Sequence, residues 1–394
     1  MSQKLINHSQ DLKKLRDEGY SITVKGGFLF IADVPYVNSN KEIKYGTLVS
    51  ELDLVSELRT AMPSTHVIRF IGEYPCNNDG TPITAIQNAT MNQQVLPGII
   101  TNHQFSCKPT PPYSDYYQKA SRYAEIISAP AKSIDKNVTE KPFHPVHDED
   151  EDSVFHYSDT NSSRASINII SSKLKGQKIA IVGLGGTGSY ILDLVAKTPV
   201  KEIHLFDSDD FIQHNTFRSP GAISNDRLEA GGIKKIPYFA EIYGKMHKGI
   251  VSHPYRITEQ NVSELNAMSF VFICVDKNSV RKFVMDYLLA AGIPFIDTGI
   301  GVNIVNEKLT GQLRVTVATK TKNDHVRSRI SSEDSAEDNE YASNIQIAEL
   351  NALNATLAVI KWKKISGFYH DLIEEHDSTY VLNTSQLISN DTTA

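Results

Sequence analysis

The sequence predicts an α/β protein in two unlike parts. A separate α+β N-terminal domain precedes a mostly parallel sheet with helices on both faces. Three observations predict it. The apolar runs KIAIVGLGG, EIHLFD, FVFICVD and IPFIDTGIG alternate with stretches of helical spacing from residue 178 onward, the pattern of right-handed βαβ units. A glycine-rich turn, Gly183-Leu184-Gly185-Gly186-Thr187-Gly188, joins the first of those strands to a helix. The 394 residues also exceed one ordinary core, since a domain averages about 150 residues.

Taken in order, residues 1–131 form the α+β part. A polar helical pattern, Ser9 to Asp17, is followed by strand candidates in GGFLFIADVPYV and in Thr65 to Pro75. Residues 80–115 are rich in Pro, Asn, Thr and Gln with little periodicity, and no element is assigned there. A Pro-containing linker spans 132–163 and holds the acidic run Asp148-Glu149-Asp150-Glu151-Asp152. Like charges in a block favour an exposed chain. Residues 164–380 make the sheet domain. Its strands are nearly continuous apolar runs, as expected where both faces are covered. GQLRVTVAT supplies a fifth strand, and a long helix from Asn344 to Lys363 places Ile345, Leu350, Leu353, Leu357 and Ile360 on one stripe. Residues 381–394 read as a flexible tail.

Composition narrows the function classes. Apolar residues make up 40% and charged residues 22%, with a net charge of −6, which fits a soluble globular chain and not a nucleic-acid-coating one. No apolar run reaches the length of a spanning helix, about 18 residues. The N-terminus lacks the apolar stretch of a secretory signal. Three cysteines, Cys76, Cys107 and Cys274, make no disulfide framework and no CxxC pair, so a cytoplasmic setting is expected.

The glycine turn carries the chemistry. A strand-to-helix turn needs positive φ, and missing Cβ atoms let phosphate oxygens approach the amides of a helix N-terminus. Asp207 ends the next strand, 19 residues after Gly188, the offset of an acid that accepts from ribose hydroxyls. A dehydrogenase would satisfy this much. Downstream, Asp207-Ser208-Asp209 is followed by Asn215 and Arg218, then by Lys235, and Asp276 closes the third strand. Such a cluster suits a triphosphate: Arg and Lys neutralise charge at the α-phosphate and pyrophosphate, and a carboxylate holds Mg2+. Asp276 can also be read as the N-cap of the helix NSVRKFVMDYLL.

At these residues the sequence resembles the ThiF/MoeB/HesA superfamily, the adenylating core shared with ubiquitin-activating enzymes. GLGGTG, DSDDFIQHNTFR, GGIKK and CVD occur in the family's order between about 164 and 365. The whole chain is most similar to bacterial ThiF-like proteins with an extra N-terminal domain. The resemblance implies adenylation of the C-terminal glycine carboxylate of a ubiquitin-like or sulfur-carrier protein, using ATP and Mg2+. It implies that Gly183, Gly185, Gly186 and Gly188 cradle ATP, with Asp207 and Asp209 on the nucleotide side. It also implies phosphate contacts from Asn215, Arg218 and Lys235, and Mg2+ at Asp276. Arg164 would correspond to the arginine that reaches a neighbouring subunit's ATP. A homodimer and a conjugating or carrier protein as further partner are likewise implied, and a covering connection over the substrate tail is implied at Thr319 to Tyr341. Lys277 departs from the pattern, where Asn is common.

No cysteine follows Cys274, which lies mid-strand and reads as a buried small apolar residue. Cys107 has His103 and Lys108 close in sequence, but the expected scheme is adenylation with transfer to a thiol or amine elsewhere. An NAD-dependent oxidoreductase and a non-catalytic nucleotide-binding adaptor remain the alternatives at this point.

Overall fold

A computed structural model of the chain describes residues 2–145, 153–165, 167–330 and 345–392. Its contacts divide it into two units, residues 1–152 with 157–166, and residues 153–156 with 167–394. The acidic run Asp148–Asp152 and the hydrophilic stretch from Glu333 to Glu340 lie outside the described residues. Among the described residues no helix is long and apolar enough to cross a membrane.

The N-terminal unit is built on a six-stranded sheet. Its strands run Ser21–Lys25, Phe28–Val37, Ile43–Glu51, Val67–Ile71, Ile99–Ser106 and Gln87–Leu96 across the sheet, and every neighbouring pair is antiparallel. The last two form a hairpin in the stretch to which the sequence assigned nothing. Every residue of Gln87–Leu96 is exposed or half-buried, so the strand lacks the apolar face that produces a period of two. Helix Tyr116–Ile134 begins at Asp115, whose carboxylate accepts from the Gln118 amide at 2.8 Å, an N-cap that satisfies an orphan donor. Its Tyr116, Tyr123 and Ile127 share one core with Leu29, Ile31, Phe70 and Phe105 of the sheet. Residues 132–134, read as linker, are this helix's last turn.

The second unit carries an eight-stranded sheet. Across it run Ile250–His253, Glu202–Phe206, Lys178–Val182, Phe270–Ile273, Phe295–Val305, Lys308–Ala318, Asp377–Val381 and Gln386–Asn390. The first four pairings are parallel and the last three antiparallel. Alternation along each strand feeds two cores. Ile179, Ile181, Phe270, Phe272 and Ile296 enter one, while Ala180, Val182, Val271, Ile273 and Phe295 enter the other. Each fully buried aliphatic or Phe side chain contributes about 1.5–3 kcal/mol, which is why these strands read as unbroken apolar runs.

Two expectations are corrected here. Residues 386–390, expected in a flexible tail, pair with Asp377–Val381 from Asp377↔Asn390 to Val381↔Gln386. Mixed polar and β-branched side chains on an outer strand look like a tail because no face is fully buried. The long helix is present as Ala348–Ile365, but its buried face differs from the apolar stripe. Asn351, Asn354, Ala355, Ala358 and Trp362 point inward, while Ile360 is exposed. Small and polar residues face the core because the glycine helix, Gly186–Val195, approaches closely on that side.

Trp362, the sole tryptophan, is fully buried, sits edge-on to Phe272 at 6.1 Å and donates its Nε1–H to Gln177 Oε1 at 3.1 Å. Trp362→Ala should therefore lower stability by about 3–5 kcal/mol, read from urea unfolding followed by circular dichroism. A loss below about 1 kcal/mol would contradict the packing described.

Candidate nucleotide site

The glycines of the turn do two different jobs. Gly183 has φ +94°, and a Cβ there would lie 2.8 Å from the Cys274 carbonyl oxygen. Gly185 is the N-cap of helix Gly186–Val195, and open space surrounds the position of its missing Cβ. That leaves the first-turn amides of the helix unobstructed, an arrangement that attracts anions. Gly186 and Gly188 serve packing. A Cβ on Gly186 would collide with the Asn351 side chain, and one on Gly188 with the Gly183 carbonyl and the Cys274 side chain. Gly188 does not line the cavity over the turn, so its expected place in the cradle is corrected to helix–strand contact.

Asp207 ties the turn to the second strand. Its Oδ2 accepts from the Leu184 amide at 2.7 Å and its Oδ1 from the Asp209 amide at 2.8 Å. Lys235 Nζ stands 2.9 Å from Asp209 Oδ2 and 3.4 Å from Asp207 Oδ2. Desolvation acts to raise the Asp209 pKa, but the Lys235 ammonium holds it below the usual carboxylate range. Lys235, nearly buried, is thus already partly neutralised.

These groups line a cavity of about 700 Å³ whose wall also holds Gly183, Gly185, Gly186, Arg218 and Asp276. Seven Lys and Arg side chains border it against three Asp, a balance that favours an anionic occupant. Arg218 is less satisfied than Lys235. Its buried Nε has no hydrogen-bond partner among the described residues, although a terminal nitrogen lies 3.4 Å from His214 Nε2. Burial lowers its pKa, and the nearby Asp276 charge opposes that. Such a donor is not consumed by the fold and is open to a ligand.

Asp276 is exposed at the end of the Phe270–Ile273 strand. Lys277, not Asp276, occupies the N-cap of helix Asn278–Ala291, which corrects the capping alternative. Among the described residues no group of three His, Cys, Asp or Glu side chains could hold a metal alone. A Mg2+ ion delivered with a triphosphate needs only one or two carboxylates, the remainder being water and phosphate oxygens, and Asp276 fits that demand.

Besides Gly188, Asn215 does not line this cavity, and Arg164 belongs to the other unit. Asn215, 3% exposed, turns inward and accepts from the Ile212 amide at 2.9 Å. It closes the short helix Gln213–Thr216 and does not line the cavity. Arg164 ends helix Thr160–Arg164 in the N-terminal unit, with its guanidinium 5.9 Å from the Phe143 ring centroid.

Other wall residues escaped the sequence. Asn351 accepts from Thr187 Oγ1 at 3.0 Å, and Arg256, Arg281 and Arg314 add charge. The available signals were Asn351 and Asn354 on a helix face that should be apolar, and Asp297 inside an otherwise apolar strand. Cys274 borders the cavity, yet burial pushes its thiol up to about 12.

With this geometry in view, the comparisons are specific. The ThiF family matches residues 164–387. The chain belongs to the ThiF family. A second match, to the Domain of unknown function (DUF6791), covers residues 10–160. This ThiF-family chain is 26% identical over 134 residues to the Saccharomyces cerevisiae protein named "Adenylyltransferase and sulfurtransferase UBA4". That stretch is 33% of this chain and 29% of the yeast protein, so the chain matches under a third of that relative. Among solved structures, E. coli MccB with MccA-N7isoASN superposes with a TM-score of 0.48 at 19% identity, over 59% of this chain and 72% of that one. E. coli MccB with ATP gives 0.47 at 19% identity, over 59% and 72%.

The ThiF turn yields two predictions. Gly188→Ala should cost about 1–3 kcal/mol through overpacking, whereas Gly185→Ala should stay within about 0.5 kcal/mol, both read as shifts in the urea midpoint. Equal effects would contradict the division of labour among the glycines. Cys274 should also resist iodoacetamide in the folded chain near pH 8, because its thiol stays protonated there and the thiolate is the nucleophile. Rapid alkylation at Cys274, mapped by peptide mass spectrometry, would overturn this.

Proposed function

We propose that the chain is an ATP- and Mg2+-dependent adenylyltransferase acting on the C-terminal glycine carboxylate of a ubiquitin-like or sulfur-carrier protein. Family membership and the named activity of the yeast relative support adenylation. The observation that carries the reading is Arg218, a half-buried arginine whose buried Nε has no partner among the described residues, in the same cavity as the open glycine turn.

In the reaction a substrate carboxylate oxygen bonds to the α-phosphorus of ATP as the bond to the bridging oxygen of pyrophosphate breaks. The products are an acyl-adenylate and pyrophosphate, with no protein nucleophile. The work of the site is to align two anions and to stabilise the charge that builds on the leaving group. Amides at Gly185 and Gly186 would receive phosphate oxygens, and Asp207 the ribose hydroxyls. Arg218 has a free donor and supplies a planar fork. Lys235 is shared with Asp209 and Asp207 and contributes less. Mg2+, held by Asp276 with the phosphates, would add charge neutralisation. Arg164 belongs to this scheme only across a dimer interface, as the arginine reaching a second subunit's nucleotide. With the Cys274 thiol pushed up to about 12, the adenylate is passed to a thiol or amine on another protein.

The test is ATP–pyrophosphate exchange with a panel of Gly-Gly-ended ubiquitin-like proteins. Wild type should give exchange with at least one member and bind NAD weakly. Arg218→Ala should lower exchange by about 10²-fold with an unchanged circular dichroism spectrum. Exchange unaffected by Arg218→Ala would remove the support for this reading.

A further inference from the structure

Asp297 is 0% exposed, a charged residue in the middle of a sheet. It sits on the Phe295–Val305 strand, paired with Ile273 on one side and Thr316 on the other. Each of its carboxylate oxygens receives a different arginine. Arg281 Nε donates to Oδ1 at 3.0 Å and an Arg314 terminal nitrogen donates to Oδ2 at 2.5 Å. Both arginines border the cavity. An isolated buried carboxylate would be costly, and this one persists because it is paired on both sides.

Arg281 does more than neutralise. One terminal nitrogen donates to the Val275 carbonyl at 2.6 Å and the other to Asn278 Oδ1. Its guanidinium therefore ties Asp297, on a rigid strand, to both ends of the segment Val275-Asp276-Lys277-Asn278. The planar fork presents donors from three separate nitrogens to three separated acceptors, whereas an ammonium directs its three donors from a single point on a flexible stem. Arg314 is fixed in turn by a bond to Thr316 Oγ1, which donates to Asp377 Oδ1 at 2.6 Å.

We propose that Asp297 is a positioning residue of the nucleotide site: it holds Arg281, and Arg281 braces the Val275–Asn278 segment so that Asp276 stays where Mg2+ and the triphosphate meet. The proposal deepens the adenylation reading and rests on it. Asp297 makes its contribution through Arg281, in the manner of outer partners that orient metal-binding carboxylates and whose loss weakens metal affinity about 10–100-fold.

The experiment measures ATP binding to the full chain by calorimetry, once with EDTA and once with Mg2+. Wild type should bind ATP more tightly with Mg2+. Asp297→Asn should shrink that enhancement at least tenfold. Its ATP affinity in EDTA should hold or rise, because a negative charge has left the two arginines that border the cavity. Arg281→Lys keeps both charges and loses the fork, and it should show the same loss of Mg2+ enhancement. It decides the matter if Asp297→Asn fails to fold. A general disruption of the site would instead weaken binding in EDTA as well, and that result overturns the proposal. So does an undiminished Mg2+ enhancement in folded Arg281→Lys, while leaving the adenylation reading intact. Absence of ATP binding by wild type would overturn both.

Discussion

Around the glycine turn, atoms come closer than side-chain carbons permit. Gly188 rests on the Gly183 carbonyl and on Cys274, and Gly186 leaves room for the Asn351 side chain. The sheet, the glycine helix and the Ala348–Ile365 helix converge at this contact. Asn351 in turn holds Thr187, and its Nδ2 approaches the Arg218 carbonyl at 3.5 Å. The position of the first-turn amides and the approach of Arg218 are thus consequences of missing methyl groups. A single added carbon would have to displace backbone, which close-packed interiors resist.

On this frame the electrostatics divide into charges already spent and a charge held in reserve. Lys235 is committed to Asp209 and Asp207, Arg281 and Arg314 to Asp297. Such pairs fix geometry more than they attract ligands, since most of the mutual Coulomb energy offsets desolvation. Arg218 differs. Its Nε is buried without a partner among the described residues, and the cost of that arrangement is recovered only when an anion arrives. An adenylation site needs both kinds: rigid charges to define the nucleotide's place, and an unfilled donor to meet charge as it develops.

That the glycine turn, Asp207, Arg218, Lys235 and Asp276 share one cavity was legible because the turn, Asp207 and Asp276 each follow a parallel strand, at whose carboxyl ends ligands bind in open α/β sheets. The inward bond of Asn215 was not legible, because the same short side chain that could meet a phosphate can also close its own turn, and sequence does not separate the two. Asp297 and Asn351 depend on partners 16 and 164 residues away, and such pairings leave only an indirect trace, a polar residue where the pattern calls for an apolar one. The N-terminal sheet was the least legible. Its Gln87–Leu96 strand has no buried face, so nothing in the composition distinguishes it from a loop. The edge strand Gln386–Asn390 was lost for the same reason.

The strands Phe295–Val305 and Lys308–Ala318 have eleven residues each, beside a neighbour, Phe270–Ile273, of four. At about 3.3 Å per residue they run about 36 Å against about 13 Å, so most of this ribbon overhangs the parallel half as a jutting awning. Its near portion, from Thr298 to Asn303, borders the cavity; its tip carries exposed Ile304, Val305 and Leu309. The tip lies beyond the residues that border the cavity, so redrawing it leaves the glycine turn and its neighbouring charges untouched.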